Sequence, residues 1–331
     1  MTHNGSFKRR VRARAAKTGE SYTTALMHLR RNAANDVPPE ARTLRLAVAQ
    51  SSICNDPRDF TALRASGRQI RHLMRQAHQV GARLVHFPEG ATCSPHKRIM
   101  SIDGPQKAGP ADWGRFDWAV LREELDAIRT LAGELGLWTV FGSVHQLSQS
   151  QRPHNSLYVV SDRGEVVTRY DERMLSNTKI SFMYTPGSMP VTFEIDGVRF
   201  GCALGIETHF PEIFMEYERL DVDCVLFSTT GGSLPNDLAF AAEAQGHAAS
   251  NRYWISFSVL ARDGLTVPSG LIAHDGQWTA QCAADGTPSI AVADINDNRG
   301  DRARPWRRTA RAGIYEPHLV DDLRSRGRDK F

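Results

Sequence analysis

The chain has 331 residues, of which 41% are hydrophobic and 24% are charged, and these proportions are typical of a folded globular protein. No apolar run approaches the roughly 18 residues that a membrane-spanning helix needs, and the basic N-terminus lacks the apolar core of a signal peptide. The net charge of +4 is unevenly distributed, because residues 1–41 and 299–331 are basic whereas residues 42–298 are mildly acidic. We therefore expect three regions and no membrane partner.

The five cysteines give no sign of a disulfide framework or a metal site. They are odd in number, are scattered along the chain and lack the short spacings typical of metal ligands. This usage favours a reduced, cytoplasmic protein. Cys202 and Cys224 lie inside apolar runs, which is typical of buried, unreactive thiols.

Residues 1–41 are predicted to form a basic appendage that ends in a linker. Phe7–Ala15 alternates basic with small or apolar residues, which indicates a short strand or an extended arm. Ala16–Arg31 is predicted to be a helix, with Thr18 or Ser21 as its N-cap. This arrangement resembles the start of ribbon-helix-helix antitoxins, so DNA binding through the appendage is an alternative to a flexible or partner-docking arm.

After the linker at 35–40, where consecutive prolines exclude a helix, strands alternate with helices. Strands are predicted at 44–50, 84–90, 137–142, 155–160, 165–170, 191–195, 198–204, 223–227, 254–259, 269–273, 278–283 and 290–294. Helices are predicted at 60–80, 117–135, 211–219 and 237–251. The alternation, together with hairpin turns between several strands, predicts an α/β fold with mixed sheets.

The stretch that begins at Gly201 carries the most specific motif. The apolar run Val198–Leu204 stops at Gly205, a short polar turn follows, and Pro211 opens a helix. A strand that ends in a sharp turn into a helix is where α/β folds display reactive side chains or bind ligands. The stretch resembles the nucleophile elbow of the nitrilase, or carbon–nitrogen hydrolase, superfamily, whose first glycine, acidic residue and closing Phe-Pro-Glu triplet it matches.

The resemblance implies a four-layer α-β-β-α sandwich, the nitrilase-like fold, over residues 42–298. It also implies that the basic tail, residues 299–331, lies at a subunit interface, and hence that the protein is a homodimer or a larger homo-oligomer. Residues 1–41 lie outside the resemblance.

The family's hydrolysis needs a thiolate that attacks, a carboxylate that transfers protons and a lysine ammonium that stabilises the oxyanion. By the resemblance, Glu89 occupies the general-base position. Glu172 falls at the lysine position, in a register fixed by the matching Tyr, Leu and Tyr-Thr-Pro-Gly residues around it. Gly205 falls at the cysteine position, and Gln146 falls at the position of an auxiliary glutamate.

The chain departs from the family at three of its four catalytic positions, while the motif residues around them match. This combination favours a non-catalytic binding or regulatory subunit. Loss of a nucleophile costs roughly 10⁶ in kcat, and loss of an oxyanion donor costs roughly 10² to 10³. We therefore expect the inherited cysteine-dependent hydrolysis to be absent. The pocket, which we expect to include Gln146, Glu207, Thr208 and His209, would still bind a small amide-like or nitrile-like ligand, and this interpretation needs no cofactor.

Two enzymatic alternatives stay open. Glu89, Glu172 and Glu207 should converge on one pocket, where clustered carboxylates bind a divalent cation such as Mg²⁺ or share a proton for acid–base chemistry. The other alternative is an amidase- or nitrilase-type hydrolase that acts on non-peptide C–N bonds, with a different register at the lysine motif.

Overall fold

The computed structural model describes residues 3–18, 21–27, 41–148, 151–231, 238–297, 301 and 303–322. The chain divides into two compact units, residues 1–41 and residues 42–331. The predicted linker at 35–40 lies outside the described residues. No helix in the described ranges combines the length and the apolar character needed to cross a bilayer.

The described part of the N-terminal unit is helical. Helix α1 spans His3–Thr18, and helix α2 covers residues 22–27 within the described range. Ser21 caps α2, as one of the two predicted caps, because its Oγ accepts a hydrogen bond from the Thr24 N–H at 3.1 Å. The strand or extended arm predicted at Phe7–Ala15 is wrong, since the arginines and alanines of this segment favour a helix. The strand on which the resemblance to ribbon-helix-helix proteins depended is therefore not formed.

The second unit contains the strands and the remaining helices. The strands are β1 Thr43–Gln50, β2 Leu84–His86, β3 Trp138–His145, β4 His154–Val160, β5 Val166–Asp171, β6 Thr192–Ile195, β7 Val198–Leu204, β8 Cys224–Ser228, β9 Trp254–Ser258, β10 Gly270–Ile272, β11 Trp278–Gln281 and β12 Ser289–Asn296. The helices are α3 Phe60–Gln79, α4 Trp118–Leu135, α5 Pro211–Arg219, α6 Ala239–Asn251 and α7 Ala303–Arg311.

The strands form two six-stranded mixed sheets. The first has the order β12-β1-β2-β3-β4-β5, and the second has the order β11-β10-β9-β8-β7-β6. Strands β1, β2 and β3 pair in parallel, as do β7, β8 and β9, and the outer pairs are antiparallel. The parallel centre of each sheet places several strand ends at one edge, which is where α/β folds build their sites.

Because side chains alternate along each strand, the sandwich has three apolar layers, one between the two sheets and one between each sheet and its helices. On β1, Leu44, Leu46 and Val48 pack between the two sheets, whereas Ala47 and Ala49 pack against α3 and α4. Side chains of β7, β8 and β9 likewise share a second outer cluster with α5 and α6. The unit is therefore a four-layer α-β-β-α sandwich, as the resemblance implies.

A turn follows the short strand β2 of the first sheet. The strand stops at His86, although the sequence predicts a strand to Gly90. Pro88 lacks a backbone N–H, and Gly90 has a φ of +61°, so the chain leaves the sheet in a turn. Glu89 lies in this turn.

The basic C-terminal tail packs on its own chain through ion pairs. Arg308 Nε and Arg311 Nη1 reach the two carboxylate oxygens of Glu218 at 3.2 and 3.1 Å, and Arg304 Nη1 reaches Asp223 at 3.1 Å. The Glu218 side chain is 2% exposed. Helix α7 is thus anchored where α5 ends, and its predicted place at a subunit interface stays a prediction.

Candidate active site

The predicted elbow follows β7. Gly205 has a φ of +55° and opens a short 3-10 turn, Gly205–His209, after which Pro211 starts α5. A left-handed φ at this point turns the chain sharply from strand to helix, and glycine adopts it without steric cost. Gly201 lets α5 approach the strand closely, because a Cβ there would lie 2.5 Å from the Tyr217 ring.

Two buried carboxyl groups meet below the elbow. Glu89 Oε1 and Glu172 Oε2 both accept hydrogen bonds from Asn155 Nδ2, at 2.9 and 2.6 Å. Lys179 Nζ donates to Glu89 Oε1 at 2.5 Å and to both Glu172 oxygens at 2.9 and 2.7 Å. The N–H of Thr230 donates to Glu89 Oε2 at 3.0 Å. The structure therefore brings Glu89 and Glu172 together, as predicted, and adds an ammonium group between them.

Lys179 is held in place by a short helical segment with π-type hydrogen bonds, Lys179–Met183. The N–H of Tyr184 donates to the Lys179 carbonyl at 2.9 Å, and the indole N–H of Trp113 donates to the Met183 carbonyl at 3.0 Å. Arg152 Nη1 donates to the Ile180 carbonyl at 2.8 Å. Single π-turns recur at functional sites, where they re-aim a side chain.

The cluster is close to electrically neutral. Burial raises the pKa of Glu172 to about 8, although the charge of Lys179 opposes this rise, and the charge of Glu89 adds to it. Burial alone would lower the pKa of Lys179, but the carboxylates of Glu172 and Glu89 outweigh it and raise that pKa above its ordinary value. Burial thus opposes ionisation of Glu172, whereas the Lys179 ammonium, which donates to both of its oxygens, favours it.

The space next to Gly205 is already filled. A Cβ built on Gly205 would overlap the Glu172 carboxylate and would lie 2.9 Å from Lys179 Nζ. Contacts this short do not occur with a real Cβ, so a side chain at position 205 requires the cluster to move. Gly205, which the resemblance places at the cysteine position, thus faces a carboxyl group and an ammonium.

Comparison with known proteins agrees with the fold. A family model for carbon-nitrogen hydrolases matches residues 45–305.

The chain belongs to the carbon–nitrogen hydrolase family.

One relative in sequence is a hydrolase of Mycobacterium tuberculosis, Hydrolase Rv0480c. It is 25% identical over 262 residues, which are 76% of this chain and 81% of that protein. Among solved structures, a variant of an amidase from Nesterenkonia AN1 in which alanine replaces a cysteine superimposes with a TM-score of 0.64 at 15% identity, over 82% of this chain and 99% of that one. In another structure of that amidase, the acetamide moiety of fluoroacetamide is added covalently at the active-site cysteine. That structure superimposes with a TM-score of 0.61 at 15% identity, over 82% of this chain and 98% of that one.

Glu207, predicted as a member of the carboxylate cluster, is a buried structural acceptor. Its Oε1 accepts hydrogen bonds from the N–H groups of Arg173 and Met174 at 2.6 and 3.2 Å. Its Oε2 accepts from the Leu204 N–H at 2.8 Å and from the Tyr170 hydroxyl at 2.7 Å. Glu207 thus ties the chain after Glu172 to the end of β7, and four donors occupy it.

The other predicted pocket residues lie apart from the cluster. The Gln146 side chain is exposed, accepts from Arg122 Nη1 at 3.3 Å and lines a different groove beside Trp113. His209 is 38% exposed and contacts Glu243 through Nδ1 at 2.7 Å. Thr208 is buried, with its carbonyl accepting from His247 Nε2 at 2.8 Å. The structure therefore does not bring Gln146 or His209 to Glu89.

The metal alternative finds little support in the described part of the chain. Within these residues no group of three or more His, Cys, Asp and Glu side chains is arranged to hold a metal ion. The positive charge between Glu89 and Glu172 is instead the Lys179 ammonium.

A cavity of about 420 Å³ opens above the cluster. It is lined by Ile53, Asn55, Glu89, Ser94, Pro95, His96, Lys97, Ser176, Asn177, Thr178, Lys179, Met183, Tyr184, Thr230 and Arg262. Of these fifteen residues only Glu89 was predicted as a site residue, and Lys179, Thr230, Tyr184 and Arg262 are among those that the prediction missed. Lys179 lies seven positions after Glu172, so a search of the segment after β5 for any cation would have found it.

Proposed function

We propose that this protein binds a small amide-like or acid-like molecule in the cavity above Glu89 and Lys179, as a binding or regulatory protein, and does not hydrolyse it through a covalent intermediate. The observation that carries the proposal is at Gly205. This residue has no nucleophilic atom, and Glu172 and Lys179 take up the space that a side chain there would need.

The thiols of the chain offer no substitute nucleophile. All five cysteines are free and buried. Burial raises the pKa of Cys202 and Cys224, and it raises that of Cys282 to about 11, so these thiols stay protonated at neutral pH. A hydrogen bond with Cys93 lowers the pKa of Cys54, yet Cys54 packs in an apolar cluster and does not line the cavity.

The amidase from Nesterenkonia AN1 supports the proposal by contrast. That protein forms a covalent adduct at an active-site cysteine. This chain has the same fold and holds a carboxylate and an ammonium beside the elbow, which suit a polar ligand, but it has glycine in place of the attacking group.

A second candidate is acid–base chemistry without a covalent intermediate. The observation that favours it is the contact between Glu89, Glu172 and Lys179 beneath an open cavity. In this alternative Glu89 takes a proton from a water molecule, and Lys179 stabilises the negative charge that develops on the substrate.

Binding of butyramide, followed by analysis of the recovered ligand, tests the proposal. We expect butyramide to raise the unfolding temperature of the protein in a concentration-dependent way and to be recovered unchanged. Glu89→Gln should weaken this stabilisation, because it removes the ion pair at the base of the cavity. Release of butyrate and ammonia by the wild-type protein would contradict the proposal.

A further inference from the structure

The cavity above Glu89 and Lys179 carries more positive than negative side chains. Among the described residues, its lining contains three cationic side chains, Lys97, Lys179 and Arg262, together with His96, and one carboxylate, Glu89. Lys179 and Glu89 are paired at 2.5 Å. The positive charges of Lys97 and Arg262 therefore have no paired carboxylate among the described lining residues of the cavity.

Neither of these two charges is strongly neutralised by the part of the chain that the structure describes. Within the described residues, Lys97 makes no ion pair. Arg262 is 61% exposed and reaches Asp263 at 3.5 Å, a long contact on the surface. Partial burial lowers the pKa of His96, and so do the charges of Lys97, Arg98 and Arg262, which places these cations close together around one imidazole.

The Tyr184 hydroxyl is a further group available to a ligand. Tyr184 is 5% exposed, lines the cavity and packs its ring against Trp113. Its hydroxyl forms no hydrogen bond with any residue that the structure describes. Burial raises the pKa of this phenol well above its ordinary range, and nearby Glu89 adds to the rise, so it remains a donor. Because Tyr184 lines the cavity, a ligand or a water molecule there can accept a hydrogen bond from this hydroxyl.

We infer that the ligand of this cavity is a small anion, with an amide or acid group at Glu89 and Lys179 and a carboxylate or phosphate group that binds Lys97, Arg262 and the Tyr184 hydroxyl. This inference rests on the proposed binding function. Charge-assisted hydrogen bonds to an anionic group are stronger than neutral ones, so such a group contributes both affinity and selectivity.

Calorimetric titration with two matched amides tests the inference. Succinamate and butyramide are both four-carbon primary amides, and they differ by the terminal carboxylate. We expect succinamate to bind about tenfold more tightly at low ionic strength, and added salt to reduce this difference. A third titration with inorganic phosphate distinguishes a carboxylate site from a phosphate site.

The variant Lys97→Gln/Arg262→Gln should reduce the affinity for succinamate to that for butyramide. The control Lys107→Gln/Arg115→Gln removes two exposed cations that do not line the cavity, and it should keep the preference. Equal affinities in the wild-type protein, absence of succinamate binding, or a preference that survives in Lys97→Gln/Arg262→Gln would overturn the inference.

These outcomes are separate from those of the proposed function. If succinamate is hydrolysed, the proposed function fails, and the preference is then read from the ratio of KM values. If no preference exists and no product forms, the inference fails while the non-hydrolytic role stands.

Discussion

Lys179 lies between two buried carboxyl groups, and the balance of charge in the site depends on it. One ammonium can neutralise only one carboxylate, so the second carboxyl group, Glu172, keeps its proton to a pKa of about 8 because it is buried. Asn155 donates to both acids and fixes their separation. A neutral cluster of this kind avoids the cost of an unpaired buried charge.

The raised pKa of Glu172 predicts a pH dependence of stability. The unfolded carboxyl group ionises near its ordinary value of 4.5, whereas the folded group ionises near 8. Between these values the folded state holds more protons than the unfolded state, so the stabilisation from this group is present below about pH 4.5 and is lost as the pH rises through about 8. Glu172→Gln should lack this decline. Urea unfolding of both proteins between about pH 5 and pH 8 measures the difference, and parallel curves would refute the assignment.

Removal of the ammonium should destabilise the protein. Lys179→Met leaves the Glu89 carboxylate without its ion pair, and we expect a loss of about 3 kcal/mol, at the low end for a buried pair because the lysine side chain is 20% exposed. Lys107→Met is the matched control, since Lys107 is 76% exposed and reaches Asp103 only at 3.8 Å. Equal unfolding free energies for the two variants would show that Lys179 has no such role.

The sequence predicts part of the site at this scale. Glu89 follows an apolar strand, and the family resemblance implies that Glu89 and Glu172 come from strand ends that meet in one pocket, so their proximity was predicted. Lys179 was missed because the motif register along the chain places Glu172, not a cation, at the lysine position. The contact with Lys179 depends on the path of a short helical segment between β5 and β6, which has no periodic sequence signal.

At the scale of elements, helix α7 is held by arginines that share one buried acid. Glu218, near the end of α5, accepts from Arg308 and Arg311, and Arg308 also reaches Asp221 at 3.1 Å. Arg311 further contacts Asn251 Oδ1 at 3.0 Å, where α6 ends. The tail thus depends on charge pairing more than on apolar burial.

Loss of this acid should release the tail. In Glu218→Gln, Arg311 and Arg308 lose their ion pairs with the buried acid, although Arg308 keeps Asp221, and we expect faster tryptic cleavage within 303–311 with the sandwich remaining intact. Glu123→Gln, which removes the exposed partner of Arg64, is the control and should not change the cleavage rate. Equal rates of cleavage in wild type and Glu218→Gln would contradict an anchoring role.

The sequence predicts the regular elements better than the ends of the chain. Strands β1 and β7 and helices α3 and α5 follow the prediction closely because their apolar periodicity agrees with their burial. In α1 the pattern of a few alternating residues was read as a strand, although the helix propensity of arginine and alanine decides the structure.

For the whole molecule, the order of strands and helices predicts an α/β fold with mixed sheets, and the four-layer sandwich follows from the family resemblance that the motifs at strand ends carry. The chemistry could not be inferred in full, because it depends on whether space remains beside Gly205. The predicted homo-oligomer stays a prediction, which the mass of the protein in solution would test.

Hydrolysis of amides, nitriles and N-carbamoyl compounds by the wild-type protein, compared with Glu89→Gln, tests the central claim most directly. Because a missing nucleophile costs roughly 10⁶ in kcat, we predict no turnover above background by either protein. Turnover by the wild type that Glu89→Gln abolishes would contradict the claim and would indicate that the acid–base cluster itself carries out the reaction.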